Sequence, residues 1–577
     1  MLKRLGLLTL IAVTFLLSAC GGGGGQKGEV SYVTMDNGKK IPQGGTLIVG
    51  LIGDVKSLNP YISTTLSGGN ITSLMFLTLN TINPDLQTYK PSLAKSWEFS
   101  DDRKELTFHL RNDVFWEDSV QVTAEDVVFS ESVAVDPKVA WSAIRWKDYI
   151  DDVKAVDDTT VVFHFTNVYP YQVMDASVGP IIPKHLLKDV PRAEMTTADF
   201  NQHPVGDGPF KFKSWRQQQQ IELVRNPSYY EKGKPHLDRI VFRIVPDRTT
   251  LLTQLKTGEI DMLEDIPPKE FQKLKVNYRD GKTDIKPYEF LGRSYDYIAW
   301  NTIDPEKYDP DKYKTLESLK EIPNPFFADV RVRRAMTYAI NRDLIREAIG
   351  YGLLIPMQGP ISPILWAYDE NLPTIPFDTT KANQLLTDAG WVDTDGDGVR
   401  EKDGQDFSFV IKTNNGNERR EQACTLIQDM LAKVGVKMEI QLEESVTFFD
   451  NLDKKRFEAA LAGWSVGLKV DMTTTFHSKS VFDKFNFTSY RNPQFDRIND
   501  EAKMMMDRTQ AKKLWDKAQR ILVNDQPYTW LYYMKSGHGL HKRFQDVIMD
   551  QRGAYLNLED WWVPANERKY WVPKEQQ

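Results

Sequence analysis

Short runs of alternating apolar and polar residues recur along the chain, interleaved with longer runs of helical spacing. Residues 106–110 (LTFHL) and 161–165 (VVFHF) place an apolar side chain at every second position, the period of a half-buried strand. Residues 46–51, 221–225, 240–245, 407–412 and 436–442 predict further strands. Thr123-Ala-Glu-Asp126 has the form of a capping box and predicts a helix running to Val135. A helix over 249–258 stops at Gly258, and a longer one over 330–350 carries Ala335, Tyr338, Ala339 and Ile345 at helical spacing. Two more are predicted over 381–389 and 419–434. Strands and helices mixed without regular strand–helix–strand spacing predict α/β domains with mixed sheets, two or three in number. The proline-rich stretch 305–325 reads as a surface excursion between lobes.

The N-terminus changes the picture. Lys3 and Arg4 precede a 13-residue apolar run, 5–17, too short for a comfortable membrane span and flanked as a signal peptide is. The run ends in Leu17-Ser18-Ala19-Cys20, which resembles a bacterial lipobox and implies removal of 1–19 and lipidation of Cys20. Gly21 to Gly25 and the polar residues after them predict a flexible tether over 20–45. The expectation is an exported protein held by its lipid in the periplasm or on the outer face of the cytoplasmic membrane.

Composition narrows the function. A chain of 577 residues with 41% hydrophobic and 27% charged residues can bury a sizeable core, which excludes disorder. A net charge of −7, with both signs well mixed, leaves no basic stripe for nucleic acid. Its 14 Trp, 23 Tyr and 28 Phe suit both core packing and recognition of organic ligands. Two cysteines make no disulfide framework, and Cys424, in an apolar helical pattern, is expected to be a buried thiol.

A series of short motifs then runs through the chain in order. Leu93-Ala-Lys-Ser-Trp97, Leu106-Thr-Phe-His-Leu-Arg111 and Val122-Thr-Ala-Glu-Asp126 come first. Pro204-Val-Gly-Asp-Gly-Pro-Phe210, Gly258-Glu-Ile-Asp261, Ala299-Trp-Asn-Thr302 and Asp329-Val-Arg-Val-Arg-Arg334 follow. Gly463-Trp464 and Tyr490-Arg-Asn-Pro493 close the series. Together they resemble the family 5 extracellular solute-binding proteins, the peptide and nickel receptors of ABC importers.

The resemblance implies a two-lobed, periplasmic-binding-protein-like α/β fold (type II, cluster C-like) with an extra small domain on lobe I. Lobe I would comprise 46–86, 204–298 and 532–577, the extra domain 87–203, and lobe III 299–531. The chain would cross between lobes near Trp300 and Leu531, where such proteins hinge over ligand. The implied function is capture of peptides, or of another small solute, for ABC permease subunits with a separate ATPase, by a monomer. Trp464 at the Gly-Trp motif, Asp471 after it, Asp54 on a cleft-floor loop, and Trp300, Asn301, Tyr532 and Tyr533 at the crossings are the implied ligand contacts. Oligopeptide receptors place an aspartate a few residues after Gly-Trp to pair with the peptide's α-amino group. Here that place falls near Gly467; Asp471 matches a later acid, and Met472 replaces the proline after it.

Rival readings attach to other motifs. An oligosaccharide receptor of the same fold would use the same aromatic rings. Gly463-Trp-Ser-Val-Gly467 matches a nucleophile elbow, making Ser465 the candidate of a lipid-anchored serine hydrolase with His477, His538 or His541. Asp393, Asp395 and Asp397 have the spacing of a calcium loop, although position twelve is Gly404 rather than glutamate; Glu401 and Asp403 lie near. Apart from that calcium candidate no cofactor is expected, and His538 with His541 alone makes a thin metal site.

Overall fold

The computed structural model describes residues 31–569 except 36–37, 142, 144–146 and 484. The signal-peptide reading of 1–19 and the lipidation of Cys20 lie outside the described residues.

The predicted alternation produces strands where it is cleanest. Glu105–Leu110 and Thr160–Phe165 pair antiparallel in a four-stranded sheet whose order is Ala94–Phe99, Glu105–Leu110, Thr160–Phe165, Ile150–Asp157. Leu106, Phe108, Val161 and Phe163 form its dry face, each 0% exposed. Helix Ala124–Ala134 packs beside it and starts on the predicted box, Asp126 Oδ2 accepting from Thr123 N at 2.9 Å. This is the extra domain.

An eleven-stranded mixed sheet organises the rest. On one side lie Phe210–Arg216, Gln220–Arg225, Arg239–Ile244, Thr46–Leu51 and Met262–Leu263, the sheet of lobe I. On the other lie Ala459–Ser465, Ser408–Asn414 and Lys437–Glu443, the sheet of lobe III. Two long central strands, Tyr528–His541 and Ile285–Trp300, run through both. Their first or last halves belong to different lobes, so the molecule is two-lobed about a pair of shared strands.

Over 295–300 and 528–533 both faces of these shared strands are covered. Tyr295, Tyr297 and Ala299 pack into one core, Ile298 and Trp300 into another, as a period of two requires. On the partner, the register slips between Asp296↔Tyr532 and Tyr297↔Trp530. Leu531 is the extra residue, and Leu531 and Tyr532 therefore share a core while Tyr533 joins the other.

Two expectations are corrected, and a third is extended. Residues 31–45 are not tether: Tyr32–Thr34 pairs with Lys40–Pro42, Ile41 is buried, and Gln43 Nε2 donates to the Gly233 carbonyl at 2.8 Å. The helix over 330–350 is two, Val330–Ala339 and Arg342–Gly350, because Asn341 turns its side chain to cap the second through Leu344 N. The excursion 305–325 carries its own small core, in which Tyr313, Leu319 and Ile322 pack with Ile303 and Val481. Cys424 is buried, as its helical pattern predicts. No helix among the described residues is long and apolar enough to cross a membrane.

Candidate functional site

A cavity of about 890 Å³ opens between the lobes beside the shared strands. That is near the upper end of the roughly 300–1,000 Å³ typical of small-molecule pockets. Lobe I contributes Asn70, Arg248 and Glu264; lobe III contributes the loop Asn414 to Arg419 and Ser465. Between them the shared strands present Arg293, Ser294, Ser536 and His538.

The loop at 414–419 is anchored by charge. Asp296, 0% exposed, accepts from Arg419 Nε at 2.9 Å and from Arg420 Nη2 at 3.0 Å, and Tyr532 donates its hydroxyl at 3.1 Å. Burial alone would raise the Asp296 carboxyl, but Arg420 and Arg419 outweigh it and hold the group below the usual carboxylate range. The same cluster fixes Gly463. A Cβ there would sit 2.3 Å from Asp296 Oδ1 and 2.5 Å from Arg420 Nη2. The glycine of the Gly-Trp motif thus makes room for an ion cluster.

Glu264 sits on the lobe I wall, its Oε1 accepting from Tyr555 Oη at 2.5 Å. Burial pushes its pKa up to about 7, with Asp265 adding to the rise and the Tyr555 bond opposing it. His538 Nδ1 accepts from Asp265 N at 3.2 Å, and burial lowers its basicity. The cleft wall therefore carries a carboxyl and an imidazole whose charged forms are both disfavoured.

Most of the expected contacts stand elsewhere. Trp300 is 0% exposed, tilted against Phe327 at 4.7 Å, with Nε1 donating to Thr529 Oγ1 at 3.0 Å. Asn301 is equally buried and donates to the carbonyls of Lys455 and Phe457. Tyr533 gives its hydroxyl to the carbonyls of Gly359 and Ile361, and Tyr532 to Asp296. Trp300, Tyr532 and Tyr533 are interior because this part of the central strands has both faces covered, and Asn301 follows the strand end into the same interior. Asp54 does not line the cleft; it accepts from Trp215 Nε1 at 3.0 Å and Gln218 N at 2.7 Å, tying its loop to a hairpin turn. Asp471 is exposed and accepts from Thr473 N at 2.9 Å. Trp464 is half-buried, stacked on Phe487 at 5.2 Å and on Tyr297 at 6.2 Å. Of the Gly-Trp-Ser segment, only Ser465 lines the cleft.

The segment after Ser465 serves another contact. Lys469 Nζ lies 2.7 Å from Asp175 of the extra domain, beneath the rings of Tyr169 and Tyr171, and Tyr171 Oη accepts from Val470 N. Tyr169 donates its hydroxyl to the same Asp175 oxygen at 2.7 Å. Where oligopeptide receptors are expected to meet a ligand ammonium, this chain joins its own ammonium to its own carboxylate.

The elbow reading fails on geometry. Strand Ala459–Ser465 runs into irregular chain to Val470 rather than into a helix, and among the described residues Ser465 Oγ bonds no histidine. In the acidic loop, Asp393, Asp395 and Glu401 bring carboxylate oxygens within 4.8 Å of one another. Asp397 is outside this group and accepts from Val399 N at 2.8 Å, so the expected calcium set changes by one member. Asp393 itself accepts from Gly396 N and Gly398 N, as a tight turn does. The histidines 538 and 541 join no metal-capable group among the described residues.

Sequence reasoning missed Arg293, Glu264 and the 414–419 loop. Isolated charges in strands and loops carry no spacing signal, and a cleft appears only once the two lobes are assembled.

Comparison with known proteins is consistent along nearly the whole length. Oligopeptide-binding protein AppA of Bacillus subtilis is 31% identical over 567 residues, covering 96% of this chain and 98% of the relative. Heme-binding protein A of Haemophilus influenzae is 26% identical over 560 residues, covering 90% and 92%. The solved structure of Bacillus subtilis AppA in complex with a nonapeptide superposes with a TM-score of 0.74 at 30% identity, over 90% of this chain and 99% of that one. Residues 88–486 match the model of the bacterial extracellular solute-binding proteins, family 5. With two lobes, a pair of strands shared between them and a polar cleft, the chain belongs to the family 5 bacterial extracellular solute-binding proteins.

Proposed function

We propose that the protein captures peptides in its interlobe cleft and presents them to the permease of an ABC importer driven by a separate ATPase. The observation that carries this reading is the cleft of about 890 Å³, walled by both lobes, in a chain 31% identical to an oligopeptide-binding protein. A ligand touching both lobes favours the closed form because it gains contacts there that the open form lacks. Part of the same proposal are a Cys20 lipid anchor, a monomeric state, and lobes bounded at 46–86, 204–298 and 532–577, at 87–203, and at 299–531.

Titration with peptide pools, read by native mass spectrometry and thermal shift, tests the ligand class. Binding by peptides with a rise in melting temperature is expected. Stabilisation by heme or by oligosaccharides, with none by peptides, sinks the reading. For the anchor, mass analysis of the mature N-terminus should find acylated Cys20. Release of a Cys20→Ala variant into the medium should follow.

A further inference from the structure

The cations along the cleft wall are engaged, with Arg293 the exception among the described residues. Arg419 is on Asp296, Lys535 is 2.7 Å from Glu289, and Arg552 is 2.6 Å from Asp550. Arg248 donates to the Asp265 carbonyl at 2.9 Å. Arg293 lines the same cavity, is half-buried, and makes no side-chain hydrogen bond, ion pair or ring contact. Burial lowers its basicity, and no neighbouring anion raises it.

Its position follows from the pairing of the shared strands. The shared strands pair Leu291 with Lys535 and Tyr295 with Tyr533, so Gly292, Arg293 and Ser294 stand opposite Met534 alone. A bulge of this kind frees residues from the ladder and re-aims a side chain. Gly292 suits the close approach: a Cβ there would meet the Met534 carbonyl at 2.9 Å. The Arg293 carbonyl in turn accepts from Val466 N at 2.9 Å, which holds this segment to the strand ending at Ser465. The bulge, the guanidinium and Ser465 thus border one cavity at the point where the lobes meet.

We propose that Arg293 pairs with a carboxylate of the ligand, so that the cleft selects solutes carrying one. The proposal rests on the capture function above and names the chemistry it selects. A guanidinium losing water as lobes close is costly unless an anion replaces that water. Its planar fork fits a carboxylate in two hydrogen bonds. The wall offers no paired anion: Glu264 is bonded to Tyr555 with its pKa pushed up to about 7, and Glu418 and Asp265 are exposed. The carboxylate is either a peptide C-terminus or an acidic side chain.

Three nonapeptide pools separate these sources: free acids lacking Asp and Glu, the same peptides as C-terminal amides, and amides carrying one Glu. Each is titrated against the mature wild-type protein, Arg293→Gln and Arg293→Lys, with melting temperature as the folding control. The wild type should bind the free acids at least tenfold tighter than the plain amides, the scale of losing one partner of a desolvated charge pair. Recovery in the Glu-bearing amides identifies side-chain carboxylates as equivalent ligands; no recovery restricts the site to the C-terminus. Either pattern supports the assignment if Arg293→Gln abolishes the preference for free acids at a wild-type melting temperature, and Arg293→Lys keeps part of it. Equal binding of acids and plain amides by the wild type overturns the assignment and leaves peptide capture standing. So does a preference that survives in folded Arg293→Gln. Absence of binding in every pool overturns peptide capture, and this assignment with it.

Discussion

Lobe III meets the rest of the molecule in two contacts of opposite character. Against the extra domain, Lys469 closes on Asp175 with side chains 14% and 0% exposed, and Tyr169 and Tyr171 enclose the pair. Against lobe I, the cleft wall carries a guanidinium without an anion and a glutamate pushed up to about 7. The first contact pairs its opposite charges without a ligand; the second leaves a guanidinium without an anion. A completed pair fixes where domains sit, whereas an incomplete wall leaves polar groups whose best partners must come from outside. The same sequence segment supplies both, since Ser465 borders the cleft and Lys469, four residues on, makes the latch.

The largest expected effect lies in the ion cluster that supports the incomplete side. Asp296→Ala removes the carboxylate that Arg419, Arg420 and Tyr532 share and leaves the half-buried Arg419 and the buried Arg420 without their anion. A loss of about 3–5 kcal/mol in urea unfolding is expected, the scale for breaking a buried pair by deleting one partner. A loss below 1 kcal/mol would show that water reaches the arginines, and that the cluster does not hold the 414–419 loop.

Lys469→Met breaks the other contact while keeping much of the side-chain bulk. Asp175 keeps the Tyr169 hydroxyl, and the Lys147 ammonium stays on its carbonyl, so the expected loss is smaller, about 2–4 kcal/mol at pH 7. Burial already raises the Asp175 carboxyl, and Lys469 is the largest influence holding it down. Without Lys469 the group protonates more readily, so the destabilisation should shrink as pH falls toward 4.5. A loss that is the same at both pH values would mean that the ion pair contributes nothing and that only packing was disturbed.

These contacts differ in how far the sequence announced them. The strands at 105–110 and 160–165 were legible because one face of their sheet is wet and the alternation is clean. The two shared strands were not. Pro287, Gly292, Gly537 and Gly539 read as breaks, and the bulges at Gly292–Ser294 and Leu531 interrupt the period. The glycines are spatial requirements: a Cβ on Gly537 would meet Phe271 at 2.9 Å, and one on Gly539 would meet Ile266 at 2.9 Å. Aromatic residues at the crossings looked like ligand contacts, yet a central strand covered on both sides turns Trp300, Tyr532 and Tyr533 into core. Arg293 is one of 73 basic residues, and nothing in its neighbours marks it. Its lack of a partner is a property of the assembled fold.

Acid titration sharpens the contrast from the cleft side. Glu264 has its folded pKa raised from 4.5 to about 7, so the native state holds a proton that the unfolded chain releases between those values. Its contribution to stability is fully present below about 4.5 and is lost as pH rises through about 7. Other raised carboxyls, among them Asp207 at about 7 and Asp261 at about 6, slope the same way. The difference between wild type and Glu264→Gln isolates this group. The variant should gain about 1–3 kcal/mol on the wild type between pH 4.5 and 8 in urea unfolding. Parallel stability curves would mean that Glu264 is ionised and solvated in the folded protein, and the cavity that Arg293 lines would then carry an anion of its own.

The smallest effect is expected at Asp54, which belongs to neither contact. Its two oxygens face three N–H groups: Oδ1 accepts from Trp215 Nε1 and Val55 N, and Oδ2 accepts from Gln218 N. Asn at this position keeps one acceptor; the orientation with its oxygen at the Oδ1 place keeps two of the three bonds, and the Gln218 N bond is lost. Gln218 has a φ of 57° at the tip of the hairpin joining Phe210–Arg216 to Gln220–Arg225, and the lost bond would loosen that turn. The loop is partly solvated, so water replaces much of the lost interaction, and about 0.5–1 kcal/mol of stability should go. Peptide affinity should not change, because the carboxylate borders no part of the cleft. Calorimetric titration of Asp54→Asn beside its unfolding curve checks both halves at once. A tenfold loss of affinity confined to cationic peptides, at unchanged stability, would move Asp54 from the scaffold into the binding site. The cleft would then extend well beyond the walls that Arg293 and Glu264 define.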